Sequence, residues 1–188
     1  MKNRRLFHGK PIIAYSIETA RASRLFHSIL VSTEDPEIAA VAKAYGAKVS
    51  QRPMAMARDS VGTQDVARDA LQRYIASAHG EPPEYACCIY ATAPLMTADD
   101  LRAGLDMLQH GTMDFVYAVG GAPPIDAGML YWGRVNAFLR NVPLVSPHAR
   151  QLVIPDDRVC DINTEEDFIR AEKMYAAIKD QRTASRPL

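Results

Sequence analysis

The chain has 188 residues, 48% of them hydrophobic, with 22 basic and 22 acidic side chains. That length suits one domain with a real core, and the balanced charge argues against nucleic acid or an anionic membrane surface as the main partner. No apolar run approaches the roughly 20 residues of a membrane helix, and no apolar signal core follows the basic opening Met1-Lys2-Asn3-Arg4-Arg5, so a cytoplasmic location is expected.

In chain order, Met1 to Lys10 reads as a basic, irregular opening. Pro11 then starts a helix whose stripe is Ile12, Ile13, Ser16, Ile17 and Ala20, because Pro in the first helical turn costs no hydrogen bond. Ser28 to Ser32 is a short β-branched strand. It breaks at Thr33-Glu34-Asp35-Pro36 into a helix carrying Ile38, Val41, Ala42 and Tyr45, with Gly46 as its stop. Ala47-Lys48-Val49 predicts a second strand, and Gln51 to Gly62, which includes Asp59, a polar irregular stretch. A helix over Thr63–Ser77 turns Val66, Ala70, Leu71 and Tyr74 inward, and a loop at His79-Gly80-Glu81-Pro82-Pro83 follows.

Tyr85 to Leu95 is the stretch around which the rest is arranged. Its near-continuous apolar run, ended by Pro94, predicts a central strand of a parallel sheet, buried on both faces. Ligands of open α/β sheets lie beyond the carboxyl ends of the strands, which puts Tyr90, Thr92 and Ala93 at the rim of a site. The same residues also read simply as a core strand with a proline stop. Thr97 and Asp100 form a capping-box pattern ahead of Leu101, Leu105 and Leu108. Strands are expected at Asp114–Val119, Met129–Trp132 and Gln151–Ile154, and a short helix at Arg134–Arg140. A final helix is capped by Thr164 and Asp167, with Phe168, Ala171, Tyr175 and Ile178 inward. Strands alternating with amphipathic helices predict a layered α/β sheet. A single domain is expected over residues 1–180, with a polar, frayed tail at 181–188.

Cys87, Cys88 and Cys160 lack zinc spacing and read as reduced, mostly buried residues. The five histidines are scattered, and none has a Ser or Cys partner that the sequence identifies. Arg52 and Arg58 sit in a polar loop, placed either to meet phosphates or to remain solvated. In Asp161-Ile162-Asn163-Thr164-Glu165-Glu166-Asp167, residues 161 and 163 share a face if the segment is extended. Together with substrate phosphates they could hold Mg²⁺. Helix capping accounts for Thr164 and Asp167 and leaves Asp161 unexplained.

Several segments in order resemble the acylneuraminate cytidylyltransferase family, and within it the pseudaminic acid cytidylyltransferases. They are Phe7-His8-Gly9-Lys10-Pro11-Ile12-Ile13-Ala14-Tyr15-Ser16-Ile17, Ile29 to Ala39, Arg52-Pro53, Cys88 to Leu95, Tyr131-Trp132-Gly133 and Asp161 to Asp167. The resemblance implies a nucleotide-diphospho-sugar transferase fold, a Rossmann-like α/β/α sandwich with a mixed, mostly parallel sheet. It implies a CTP-dependent transfer of CMP to a nine-carbon keto sugar acid, with release of pyrophosphate, Mg²⁺ as cofactor and a homodimer. Carried over by position, Lys2, Asn3 and Arg52 would bind nucleotide, Tyr90 and Thr92 would line the sugar pocket, and Asp161 with Asn163 would hold the metal, Asp161 being the catalytic carboxylate.

The sequence departs from the family pattern in three places. Lys2-Asn3 match the last two residues of a Gly-rich triphosphate loop whose glycines and arginine are expected to be missing. Pro123 to Gly128 replaces a longer segment, and Asn163 stands where the second metal carboxylate would be. The alternative expectation is therefore an impaired or inactive relative that works as a binding or dimerisation partner.

Overall fold

The computed structural model describes residues 2–58, 60–77 and 81–184. Asp59, the loop residues His79-Gly80 and the tail residues 185–188 lie outside the described residues. In chain order the elements are β1 (Leu6–Phe7), β2 (Lys10–Pro11), α1 (Ile12–Ser23), β3 (Leu30–Thr33), α2 (Pro36–Ala44), β4 (Lys48–Gln51) and α3 (Thr63–Ser77). They continue with β5 (Tyr85–Ile89), α4 (Ala98–Gln109), β6 (Phe115–Gly120), β7 (Ile125–Arg134), α5 (Val135–Leu139), β8 (Ala149–Val153) and α6 (Glu165–Ala184).

Among the described residues the main sheet has four strands in the order β5-β7-β6-β8; β7 is antiparallel to both neighbours, and β8 is parallel to β6. A second, parallel pair joins β3 to β4, and β1 and β2 make a small hairpin. Strand alternation sorts the core into two layers. Val116, Ala118, Leu130 and Trp132 face one side, with Leu101 and Leu108 of α4 and Phe168 of α6. Phe115, Tyr117, Val119 and Tyr131 face the other, with Phe138 of α5 and Leu71 of α3. This is the layered α/β arrangement that the alternation of elements predicts and the α/β/α sandwich that the resemblance implies.

Local chemistry sets the helix ends. Asp35 accepts from the N–H groups of Glu37 and Ile38 at the start of α2. α1 stops where Arg24 turns left-handed at φ 59°. Thr97 and Asp100 complete the expected capping box of α4, and Thr164 and Asp167 do the same for α6. α4 packs closely on β7 because residue 104 is Gly: a Cβ there would come within 2.6 Å of Trp132 Cδ1. The indole N–H of Trp132 donates to Leu101 O at 3.0 Å, and its ring stacks on Phe26 with centroids 5.2 Å apart.

Four sequence readings change. The opening is not irregular: the turn His8-Gly9, with φ 45° and 88°, folds Phe7 into the core. There Phe7 meets Tyr15, Phe168 and Tyr175 edge-on, a contribution of about 1.5–3 kcal/mol from burial alone. The Pro123–Gly128 stretch is mostly strand, because β7 begins at Ile125 directly after a tight turn from β6. α6 runs on to Ala184, so residues 181–184 of the expected tail are helical. Finally, β5 is not central among the described residues. There it pairs with β7 alone and is half-buried along its whole length, although its composition suits burial on both faces.

Asp100 does double duty. Besides capping α4, its carboxylate is gripped by both guanidinium nitrogens of Arg158, and both side chains are largely buried. Burial alone would raise the Asp100 pKa, but the Arg158 and Thr97 hydrogen bonds outweigh it and hold the carboxyl below its ordinary range. A depressed folded pKa adds stability above the unfolded value of about 3.9, and that stability is lost as pH falls through the folded value. Asp100→Ala should cost about 3 kcal/mol at neutral pH, since it leaves the Arg158 charge without its partner. The gap between variant and parent in thermal unfolding should narrow below about pH 4.

Candidate active site

The segment after β8 alternates. Cys160 and Ile162 are buried, while Asp161 and Asn163 point outward together. Asn163 Nδ2 donates to Asp161 Oδ2 at 2.7 Å. Lys2 Nζ donates to Ile162 O at 2.5 Å and reaches Asn163 Oδ1 at 3.4 Å. Arg5 grips Glu165 at the start of α6, and Arg4 pairs with Glu37 in the first turn of α2. The chain opening thus bridges the Asp161 segment and the carboxyl end of β3.

Gly128 seats Asp161 from below. Its φ is 59°, and a Cβ there would lie 2.7 Å from Asp161 Oδ1. The Gly128 N–H donates to Asp126 Oδ1 at 2.9 Å, and the Tyr131 hydroxyl donates to Asp126 Oδ2. Burial, then this carboxylate, pushes the Tyr131 hydroxyl pKa far above its ordinary value. Tyr131 packs against Tyr90, with ring centroids 5.7 Å apart, and the Tyr90 hydroxyl shares a 2.7 Å hydrogen bond with Thr63 at the start of α3. The Tyr90 carbonyl accepts from Ser16 Oγ at 2.7 Å, which fixes the end of β5 to α1.

Arg52 lies at the end of β4. Its Nε donates to Ser32 Oγ at 3.3 Å, another nitrogen donates to Ser32 O, and Glu34 Oε2 stands 3.7 Å away. The guanidinium is thus folded back onto β3. Arg52, Asn3 and Tyr90 line one cavity of about 760 Å³, as do the half-buried Cys87 and Cys88. Burial raises both thiol pKa values, that of Cys88 to about 11.

The structure therefore brings Lys2, Asp161 and Asn163 into contact and sets Asn3, Arg52 and Tyr90 on one rim. Thr92 does not line that cavity: it is buried, 6% exposed. Sequence reasoning gives no site role to Gly128, Asp126, Tyr131 or Thr63. Tyr131 enters only within the matched Tyr131-Trp132-Gly133 segment and Thr63 only as a helix start, and the Asp-Ala-Gly turn before Met129 reads as a bridge rather than as a seat for Asp161.

A sequence profile of the cytidylyltransferase family, described as "Cytidylyltransferase", matches residues 1–132. The chain belongs to the cytidylyltransferase family. It is 30% identical over 203 aligned residues to a pseudaminic acid cytidylyltransferase of Campylobacter jejuni, covering 90% of this chain and 87% of that protein. It is 33% identical over 119 residues to N-acylneuraminate cytidylyltransferase A of Danio rerio, covering 63% of this chain and 26% of that one. A solved CMP:2-keto-3-deoxy-manno-octonic acid synthetase complexed with CTP superposes with a TM-score of 0.71 at 12% identity, over 94% of this chain and 92% of the other. That likeness shows the nucleotidyltransferase fold. Among the described residues no helix is long and apolar enough to cross a membrane.

Gly128→Ala forces a Cβ against the Asp161 carboxylate at a left-handed φ. It should cost about 1–3 kcal/mol in thermal unfolding. Gly62→Ala, with nothing within 4 Å of its Cβ position, is the control expected to leave the melting unchanged.

Proposed function

We propose that this chain transfers CMP from CTP to a nonulosonic sugar acid, pseudaminic acid or a sialic-acid-like relative. The observation that carries the reading is the contact of Lys2, Asp161 and Asn163 at the carboxyl-end rim of the sheet, in a chain of this family. The anomeric hydroxyl of the sugar attacks the α-phosphorus, and the bond to pyrophosphate breaks as the new P–O bond forms. Such a reaction is governed by positioning and charge neutralisation.

Each side chain has a place in that scheme. Lys2 sets a positive charge beside Asp161 for the triphosphate. Asn3 offers an amide to the nucleotide from the rim. Arg52 keeps Nη1 and one Nη2 N–H free of Ser32 to meet a phosphate, while its bonds to Ser32 hold the guanidinium in place. The paired hydroxyls of Tyr90 and Thr63 face the sugar, and Thr92 supports that rim from within the core.

Mg²⁺ is the proposed cofactor. Asp161 supplies the charged oxygen, Asn163 a neutral one, and substrate phosphates the rest, the usual manner of binding this ion. Asn163 now turns its NH₂ toward Asp161, so the amide must rotate to offer its oxygen. Bound there, the ion would neutralise charge on the phosphates. The chain is proposed to act as a homodimer in the cytoplasm.

A second reading, a fold-retaining relative without turnover, is supported by the Arg52 guanidinium folded back onto Ser32 and by the neutral Asn163. Calorimetry with CTP, with and without Mg²⁺, separates the two. Micromolar binding strengthened by Mg²⁺, then pyrophosphate release with a nonulosonic acid and its loss in Asp161→Asn, is the expected result. No binding at millimolar CTP by a folded sample selects the second reading.

Asn163→Asp tests the metal directly. It sets two carboxylates where a 2.7 Å hydrogen bond now stands, so the variant should melt below the parent without metal. Millimolar Mg²⁺ should raise its melting temperature more than the parent's. A variant whose melting ignores Mg²⁺ removes position 163 from the metal site.

A further inference from the structure

Strand β7 does not run evenly beside β6. Tyr117 pairs with Tyr131, and Val119 with Asp126. Ala118 alone separates these positions on β6, whereas Ala127, Gly128, Met129 and Leu130 separate them on β7. The extra residues bulge out of the ladder, and bulges re-aim side chains beside sites. Ala127 and Met129 are buried in the cluster that also holds Cys160 and Ile162. Gly128, between the first pair, lies against the carboxylate of Asp161, between the second. The two segments interlock, each burying the neighbours of the residue that meets the other.

One side chain spans this bulge. Asp126 stands just before it, and its Oδ1 accepts from the Gly128 N–H at 2.9 Å while its Oδ2 accepts from the hydroxyl of Tyr131, just after it. Hydrogen bonds to an ionised carboxylate are the stronger kind. Asp126 is exposed, whereas Gly128 and Tyr131 are buried. The charge therefore stays solvated while its two oxygens tie the apex of the bulge to the far end. Asp161 is held from two sides, by Asn163 Nδ2 at 2.7 Å and by contact with Gly128. The second support is only as firm as the turn that carries it.

We propose that Asp126 is a positioning residue for Asp161: by bridging Gly128 and Tyr131 it fixes the bulge on which the Asp161 carboxylate rests, and so sets the aim of the oxygen offered to the metal. Asp126 does not itself touch metal or substrate. Through Tyr131, whose ring packs on Tyr90, the same carboxylate ties that aim to the opposite side of the rim. The aim of Asp161 follows from the bulge alone; the consequence for Mg²⁺ and turnover rests on the proposed reaction.

The test compares the parent with Asp126→Ala, Asp126→Asn and Asp156→Ala. Asn at 126 keeps an oxygen for the Gly128 N–H and an NH₂ for the Tyr131 oxygen. Asp156→Ala is the control: it removes a like bond, from the Gly121 N–H at 2.8 Å, at the neighbouring turn. Exchange of the Asn163 side-chain protons with water, read by NMR, reports the Asp161 bond without metal, nucleotide or turnover. The midpoint of a Mg²⁺ titration, and the KM for Mg²⁺ set against kcat in cytidylyl transfer, report the metal. Asp126→Ala should speed the Asn163 exchange at least about fivefold, as loss of one hydrogen bond would. It should raise the Mg²⁺ midpoint and KM about tenfold or more, the usual scale for a group that orients a metal ligand. Asp126→Asn should stay well short of that loss, and Asp156→Ala should change none of the three. Unchanged Asn163 exchange in Asp126→Ala overturns the proposal, as does exchange in the parent already as fast as a free amide. An Asp126→Asn protein that loses Mg²⁺ as Asp126→Ala does, with Asn163 exchange intact, makes Asp126 a ligand and overturns the positioning role. An equal change in Asp156→Ala reduces the effect to general loosening and overturns it too. A parent with neither Mg²⁺ response nor transfer removes the proposed reaction, and the Asn163 exchange then decides this inference by itself.

Discussion

The side-to-side alternation of β6 and β7 is the constraint on which the rest of the fold depends. Val116 and Trp132 are paired across the ladder and turn toward α4, while Tyr117 and Tyr131, one step along, turn toward α3 and α5. A slip of one residue would exchange the two layers. Trp132 makes such a slip costly: its indole N–H is committed to Leu101, and its ring occupies the space left by Gly104. The same register sends Tyr131 toward Asp126 and Tyr90, so the parity that builds the core also orders the hydroxyls at the rim.

The candidate site is assembled from parts that are weak alone. Asp161 faces out because Cys160 and Ile162 face in. It stays in place because residue 128 has no side chain and because Asn163 donates to it. Lys2 arrives through a hairpin pinned by Phe7, a ring with no exposed surface. Surface ion pairs such as Arg5 with Glu165 contribute little energy. Their role here is orientation, since the Arg5 guanidinium also lies 3.8 Å over the Phe168 ring.

Most helices were legible in the sequence because their ends and stripes are local. The Thr97–Asp100 and Thr164–Asp167 boxes, Pro36 after Asp35, and the apolar stripe of α1 each need only a few neighbouring residues. The contact of Lys2 with residues 162 and 163 was not legible as geometry, because only the folded sheet spans that separation. Asp126 and Gly128 were hidden for another reason: polar and small residues before an apolar run resemble a connection, and only the three-dimensional seat under Asp161 shows their use. The place of β5 was misread because an apolar composition reports what could cover a strand, and not whether the covering is there. Thr92 was expected at the rim with its neighbour Tyr90; that it is buried there depends on where the chain turns after β5, which apolar periodicity does not encode.

The first and last segments of the chain are stitched together. Lys2 bonds Ile162, Arg5 grips Glu165, and the His8 ring meets the carbonyl of Glu172, contacts that each span at least 160 positions. On a ribosome adding about 5–20 residues per second, Lys2 and Phe7 emerge many seconds before their partners at residues 162–175 exist. The sheet and the early helices can condense in that interval, but the Asp161 cluster cannot close until residues 161–163 have left the exit tunnel. The contacts that hold Asp161 in its outward position therefore form after the early helices have had time to pack.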